Sequence, residues 1–393
     1  MEPTTHDSRH IAQSSKKRVF LGASSSSSGF NDVEILETAP YRKIISKPSS
    51  SQKKKAVCEI IDLDSEEDRS DDLVIDGKAT KKCKSKSVSS DIDPEILRKF
   101  ELFKKFDTVE DCSDNHFFAT GKSSSKQPSK NWAKRIHEEW KILEKDLPDT
   151  IFVRVCETRM DLLRAVIVGA EGTPYHDGLF FFDICFPGNY PNSPPGVHYH
   201  SGGLGINPNL YDCGKVCLSL LNTWGGLSEN EKWVPKVSTM LQVLVSIQGL
   251  ILNAKPFFNE PGYETMIDTK SGEESSLEYN ENTFINSLQT MVYSMNRPPK
   301  NIMQYFEAFV VGHFCKLARD ILLSCKAYLE GVQVGCLLRG GVQDVDEGNK
   351  SCSDNFKHSL AGFIKTLIET FTRIGAKDCH EFHSLSLKSC NKG

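Results

Sequence analysis

The sequence has no apolar opening, no long hydrophobic run and no surplus of charge of either sign. Met1-Glu2-Pro3-Thr4-Thr5-His6 carries neither the basic start nor the apolar stretch of a secretory signal. The longest apolar run, Leu241–Leu252, is interrupted by Gln242, Ser246 and Gln248 and is too short to span a bilayer. Lys+Arg number 48 against Asp+Glu 52, a net charge of −4 over 393 residues, which argues against coating nucleic acid through bulk charge. A soluble, non-secreted chain with no membrane span and no nucleic-acid partner is expected. Cysteine spacing also lacks order: thirteen cysteines, an odd number, scatter from Cys58 to Cys390, so reduced thiols are expected rather than a disulfide framework. No internal repeat is present.

Aromatics are sparse in the first 90 residues, which hold only Phe20, Phe30 and Tyr41 but eighteen serines. Such a segment cannot bury enough apolar surface to offset its ordering entropy, and residues 1–90 are expected to be a disordered tail. A short helical island with a linker is expected over 91–128. Asp93 suits an N-cap and Pro94 the first helical position, and Ile96, Leu97, Phe100, Phe103 and Phe106 recur at helical spacing. The simplest reading of this island is a helix docked on the main domain, with Gly121–Ser129 as a flexible linker.

All four tryptophans fall in the middle third. Asn131–Leu147 places Trp132, Ile136, Trp140, Leu143 and Leu147 on one helical face and stops at Pro148. Ile151–Cys156, Leu162–Val168, Leu179–Phe186 and Val197–His200 read as four strands of an antiparallel meander. A further helix is expected over Thr239–Leu252, with Leu241, Leu244, Val245, Gln248 and Leu252 at matching spacing. Helix, meander, irregular loop and helix make an α+β arrangement. Helical patterns return over Ile302–Leu329 and Phe356–Ile374, with a Gly- and acid-rich loop over 340–353 between them, and the last fifteen residues read as frayed.

The loop before the second helix carries Asn207-Pro208-Asn209-Leu210-Tyr211-Asp212-Cys213-Gly214-Lys215-Val216-Cys217-Leu218. Upstream lie Phe186-Pro187, Tyr190-Pro191 and Pro194-Pro195-Gly196-Val197; downstream lie Trp233-Val234-Pro235 and Ser246-Ile247-Gln248-Gly249-Leu250. In this combination and order, over about residues 131–297, the chain resembles the ubiquitin-conjugating enzymes, whose usual pattern is His-Pro-Asn with the active-site Cys eight residues after the Asn. Here Asn207 replaces the His, and Asn222–Lys232 is an insertion relative to short members. Both departures, with the tail through Arg297-Pro298-Pro299-Lys300, resemble a large extended subgroup of plants and animals. The resemblance implies a catalytic domain over 129–297, a helical extension over 298–393, and an N-terminal helix, four-stranded meander, active-site loop and C-terminal helices.

The resemblance also implies roles. Cys217 would take ubiquitin from an activating enzyme as a thioester and pass it to a substrate lysine, since a thiolate is both a strong nucleophile and a good leaving group. Asn209 would stabilise the oxyanion, Asn207 would organise the loop in place of the His, and Glu260, with Asn259 as second choice, would position the lysine. Pro187, Trp233 and Pro235 would contact partners, among them the activating enzyme and a ubiquitin ligase. Ligase-like activity of its own stands beside conjugation, because some of the subgroup combine both. No cofactor is implied, ATP being spent by the activating enzyme. Two alternatives remain open on the residues alone. One is a non-catalytic ubiquitin- or SUMO-binding scaffold, and the other is a zinc module using His198, His200, Cys213 and Cys217, two imidazoles on one strand face with a C-x₃-C.

In the tail, Val57-Cys58-Glu59-Ile60-Ile61-Asp62-Leu63-Asp64-Ser65-Glu66-Glu67-Asp68 sets an apolar, β-prone core against acids. It resembles a SUMO-interacting motif, with Ile60, Ile61 and Leu63 as contacts to a modifier's sheet edge. Lys53-Lys54-Lys55 and Lys81-Lys82-Cys83-Lys84 are short basic clusters, and residence in nucleus and/or cytoplasm is expected.

Overall fold

The computed structural model describes residues 94–119, 129–224, 231–296, 305–338, 341–342 and 351–387. The tail motif at Ile60, Ile61 and Leu63, the serine-rich segment and the basic clusters lie outside the described residues. Helix α1 (Pro94–Glu101) begins at the proline but ends sooner than the aromatic spacing implies. Leu102 and Phe103 bond back to the carbonyls of Arg98 and Phe100, and the chain then extends into strand β1 (Phe106–Val109). Phe106 is therefore a strand residue. Phe103 lies beyond the helix, where it packs against Phe152, Phe306 and Phe309 at centroid distances of 5.9, 5.7 and 4.9 Å. A cluster of rings, rather than a single helix face, spaces these aromatics.

The meander is formed by β2 (Ile151–Cys156), β3 (Leu162–Val168), β4 (Leu179–Cys185) and β5 (Gly196–Tyr199), each antiparallel to the next. Strand β1 adds to β2 in parallel, so the expected four strands become a five-stranded mixed sheet in the order β1-β2-β3-β4-β5. Helix α2 (Lys130–Asp146) is capped by the Ser129 hydroxyl, which accepts from Trp132 N–H. Helix α3 (Met240–Ser246) starts with a Thr239–Gln242 capping box and continues as a wider turn over Ile247–Ile251. Met240, Val243, Leu244, Ile247 and Ile251 are buried, whereas Val245 is 45% exposed and does not share the core face assigned from spacing.

One sheet face packs on α2 and α3 through residues such as Ile136, Val153, Ala165, Phe182 and Leu244. The other face carries Val166, Leu179 and Phe181 into a second core built by α4 (Lys270–Asn296), α5 (Glu307–Leu329) and α6 (Asp354–Arg373). Burial on both faces explains the nearly continuous apolar runs of β3 and β4. Between α5 and α6 lies a two-residue pairing, β6 (Leu337–Leu338) with β7 (Gly341–Val342). The segment after α6 is ordered through a turn at Cys379–Phe382 and helix α7 (His383–Leu387). Phe382 and Leu385 anchor it in the second core, so this stretch is not frayed. Helix α1 rests on α5 where Phe100 covers Gly312; a Cβ there would sit 2.2 Å from the Phe100 ring. Among the described residues no helix is long and apolar enough to cross a membrane.

The second sheet face also bears a row of charged residues in cross-strand register: Asp107, Arg154, Arg164, Asp183 and His198. Arg164 Nε donates to Asp183 Oδ1 at 2.6 Å and its Nη1 to Asp114 at 2.5 Å. Asp183 also accepts His116 N–H at 2.7 Å and lies 2.9 Å from His200 Nε2. Burial pushes the Asp183 carboxyl up, but the neighbouring His200 and Arg164 outweigh it, leaving the group well below the usual carboxylate range. Removing one member of such a set strands a buried charge. Arg164→Met is expected to cost about 3–5 kcal/mol, read as a fall in the urea midpoint, and Arg164→Met/Asp183→Leu to recover much of it. An unchanged midpoint in the single variant would contradict this account.

Candidate active site

The loop from β5 to α3 is pinned by side chains rather than by regular structure. Asn207 is buried, and its Nδ2 donates to Tyr175 Oη at 2.8 Å and to the Ile251 carbonyl at 2.7 Å. Its Oδ1 accepts Asn209 N–H at 2.8 Å. One short amide thus ties the loop to the turn after α3 and to Tyr175, whose hydroxyl donates to Ile206 O at 2.9 Å. Beyond it the chain folds back as a small hairpin, with Leu210 bridging Val216 and Tyr211 N–H donating to Lys215 O.

The hairpin needs a glycine at its tip. Gly214 has φ of +87°, and a Cβ would sit 2.0 Å from His198 Cε1 on β5. The fold-back brings Asn209 and Cys217 together: Cys217 N–H donates to Asn209 O at 2.9 Å, and Asn209 Nδ2 donates to Cys217 O at 2.9 Å. Cys217 is 2% exposed. Tyr211, 42% exposed, neighbours Cys217 closely enough for the two groups to act on each other electrostatically. The phenol holds its proton more tightly than usual, chiefly because Cys217 is its neighbour, with Glu260 and Cys213 adding to the effect. Lys215 Nζ lies 5.4 Å from the Tyr211 ring centroid.

Glu260 is exposed, follows the turn Pro256–Asn259, and lies near enough to Tyr211 for its charge to act on the phenol. Asn259 instead turns inward: its Nδ2 donates to Ile251 O at 3.1 Å, and its Oδ1 accepts from Asn253 at 2.7 Å. Asn207, Asn209, Cys217 and Glu260 are thus gathered around one loop. Tyr211 and Tyr175 complete it. Tyr211 lies inside the motif but follows no spacing rule, and no sequence signal marks Tyr175.

Trp233 was expected at a partner surface, but it is only 6% exposed; its Nε1 donates to Pro191 O at 2.7 Å and its ring packs on Tyr190. It props the proline-rich loop from within and leaves Val234, Pro235 and Val237 as the exposed part of its own loop. Pro187 is half-buried and accepts Trp132 Nε1–H at 2.9 Å. Below both, the carboxylate of Glu139 is buried and accepts Tyr190 Oη–H at 2.6 Å and Met240 N–H at 3.0 Å, joining α2, α3 and the proline loop.

The four residues of the zinc alternative do not converge. His198 stacks on His116 at 3.6 Å, His200 faces Asp183, Cys213 is exposed at the hairpin tip and Cys217 is buried against Asn209. No group of three or more His, Cys, Asp or Glu suited to a metal occurs among the described residues.

Burial, then the neighbouring His116 and His200, lower the pKa of His198 to about 4 from 6.5. Between those values the unfolded chain binds a proton that the folded one refuses, so stability falls as pH drops from 6.5 toward 4. Above that window both states are neutral and the term vanishes. Urea unfolding across pH 4–7 is expected to show this slope, and His198→Gln is expected to flatten it.

The family model for ubiquitin-conjugating enzymes matches residues 135–283. The chain is 60% identical over 279 residues to probable ubiquitin-conjugating enzyme E2 26 of Arabidopsis thaliana, covering 71% of this chain and 50% of that protein. It is 57% identical over 287 residues to putative ubiquitin-conjugating enzyme E2 38 of the same plant, covering 73% and 85%. To the dual E2 ubiquitin-conjugating enzyme/E3 ubiquitin-protein ligase BIRC6 of Homo sapiens it is 37% identical over 274 residues, covering 65% and 6%. The chain thus spans from about half to most of the length of the two plant relatives.

Proposed function

The chain belongs to the ubiquitin-conjugating enzyme family, and from that premise we propose that it carries ubiquitin as a thioester on Cys217 and transfers it to substrate lysines. The observation that carries the reading is the reciprocal pair of hydrogen bonds between Asn209 and Cys217, which fixes an amide donor beside the nucleophile. In the transfer step a neutral lysine amine attacks the thioester carbonyl, the oxyanion forms, and collapse expels the Cys217 thiolate while the amine nitrogen loses its proton. An N–H donor placed at that oxyanion contributes roughly 3–4 kcal/mol. Asn209 has a second Nδ2 hydrogen for this purpose, and Asn207 keeps the loop from moving under load.

The lysine arrives with a reference pKa of about 10.4 and must shed its proton to react. Tyr211 and Glu260, close enough to act on each other, would orient the amine, and the Glu260 carboxylate would receive that proton. The activating enzyme and a ligase are the partners this reading requires, with Pro187, Pro235 and the exposed valines of the Trp233 loop as contacts. Asn207 in the first tripeptide position and the plant relatives support placement in the extended Asn-Pro-Asn subgroup. The relative whose printed name joins conjugating and ligase activities supports a ligase-like capacity. For Ile60, Ile61 and Leu63 we propose SUMO binding by strand addition, and for the basic clusters residence in nucleus and/or cytoplasm; sequence alone supports both.

The test is incubation with activating enzyme, ATP and ubiquitin, followed by electrophoresis with and without thiol reductant. A reductant-sensitive adduct is expected, absent in Cys217→Ala. In Asn209→Ala the adduct should form, and its discharge to free lysine should slow about a hundredfold or more. An adduct that survives Cys217→Ala, or discharge unaffected by Asn209→Ala, would overturn the assignment.

A further inference from the structure

Strand β1 closes one edge of the sheet, the edge opposite β5 and the Cys217 loop, and among the described residues it pairs only with β2. The carbonyls of Lys105 and Val109 accept from Val153 and Glu157, so by the alternation of a parallel ladder Phe106 and Thr108 turn their backbone groups outward. Among the described residues no strand meets them. The Thr108 N–H is occupied by the side chain of Asp107 at 3.1 Å, a common way to blunt an edge.

Along this edge runs a cavity of about 680 Å³ walled by α1, β1 and the start of α5, with Leu102, Lys104, Thr108, Arg154 and Tyr305 among its lining. Leu102 is 68% exposed at its rim. At its floor Arg154 is only 6% exposed, yet no carboxylate lies within ion-pair distance of it among the described residues. Its Nη1 donates to the carbonyls of Lys104 and Val153, at 3.1 and 2.9 Å, and its guanidinium lies over the rings of Phe103 and Phe306. Burial lowers its pKa to about 10, with Asp107 the opposing influence. Its cross-strand neighbour Arg164 faces two carboxylates. Asp107 is spoken for by Thr108 N–H and by Lys104 at 3.7 Å. A buried guanidinium in direct contact only with carbonyls and ring faces, with the Asp107 charge nearby but not paired to it, is poised for an anion.

We propose that the free edge of β1 and the adjoining cavity form a docking groove for an extended acidic peptide of a partner protein. The peptide adds a sixth strand outside β1, displacing the Asp107 carboxylate from Thr108 N–H, and one of its acidic side chains reaches Arg154. At the rim Arg98 and Lys99 are paired with Glu95 and Lys104 with Asp107, and Glu110 and Glu307 also line the groove, so its preference for acid rests on Arg154 and holds for peptides whose acids align with that guanidinium. The groove lies across the sheet from Cys217, so occupancy leaves thioester formation untouched and serves to hold a substrate or adaptor.

The test titrates the full chain into a fluorescent, N-acetylated Val-Asp-Val-Asp-Val-Asp-Val peptide and into its lysine counterpart, read by anisotropy. The acidic peptide is expected to bind at least about tenfold more tightly, and Thr108→Pro, which removes an outward N–H without breaking a β1–β2 bond, to weaken it about tenfold. Lys104→Glu is expected to weaken it several-fold, while Arg154→Lys, which keeps the charge, should retain part of the affinity. Amide exchange at Phe106 should slow when peptide is present. Equal binding of both peptides, affinity unmoved by Thr108→Pro and Lys104→Glu, or self-association through β1 without peptide binding would each overturn the proposal.

Discussion

The Arg164–Asp183 pair sits almost without water in the middle of a sheet, and much of the architecture is arranged to make that tolerable. A carboxylate and a guanidinium taken out of water lose several kcal/mol of hydration each, and recover it only if their remaining hydrogen-bonding sites are filled. Arg164 is completed by Asp114, and Asp183 by His116 N–H and His200, so residues 114–116 must lie across the sheet in one conformation. That requirement draws the segment after β1 onto the second face. It also stacks His116 on His198, and His198 in turn fills the space beneath Gly214. The nucleophile's hairpin therefore rests on an imidazole whose position is set by the need to satisfy a buried charge two strands away.

The C-terminal helices are attached by the same logic of buried polar groups. His176 and Asp177, in the turn before β4, are held by Tyr328 and His313 of α5: Tyr328 Oη lies 2.9 Å from His176 Nε2, and His313 Nε2 lies 2.8 Å from Asp177 O. Glu281 of α4 receives both the N–H and the hydroxyl of Ser353, the residue that caps α6. Each contact is directional, so the helices are fixed in register as well as in area. The apolar second core then closes around them, sharing Val166, Leu179 and Phe181 with the sheet.

The four strands of the meander were legible in the sequence because short apolar runs and proline punctuation mark them without help from distant residues; β2 and β3 match the expected limits, and β4 and β5 differ by one residue at their ends. The separation of Asn209 and Cys217 was legible because it is a local turn geometry. Helix α4 was not, because much of its buried side consists of Ser276, Asn280, Thr283, Ser287, Thr290 and Ser294, spaced four and three residues apart. A rule that searches for apolar periodicity passes over a helix packed through small polar groups. Phe106 misled for the opposite reason: an apolar residue at helical spacing joined a strand whose partner, β2, lies more than forty residues onward. Trp233 misled because a large aromatic in a loop reads equally as a contact or a prop, and only the distance to Pro191 O decides. Arg154 and Glu139, buried charges, have no sequence signature at all.

Asn207 has one further consequence. An imidazole in its place would alter its hydrogen-bonding character whenever the surroundings became more acidic, exchanging an acceptor for a donor. The carboxamide keeps the same donors to Tyr175 Oη and Ile251 O, and the same acceptor for Asn209 N–H, whatever the acidity around it. The loop is thereby clamped by a side chain that carries no protonation state to read, so a change of compartment leaves the spacing of Asn209 and Cys217 under a constant restraint.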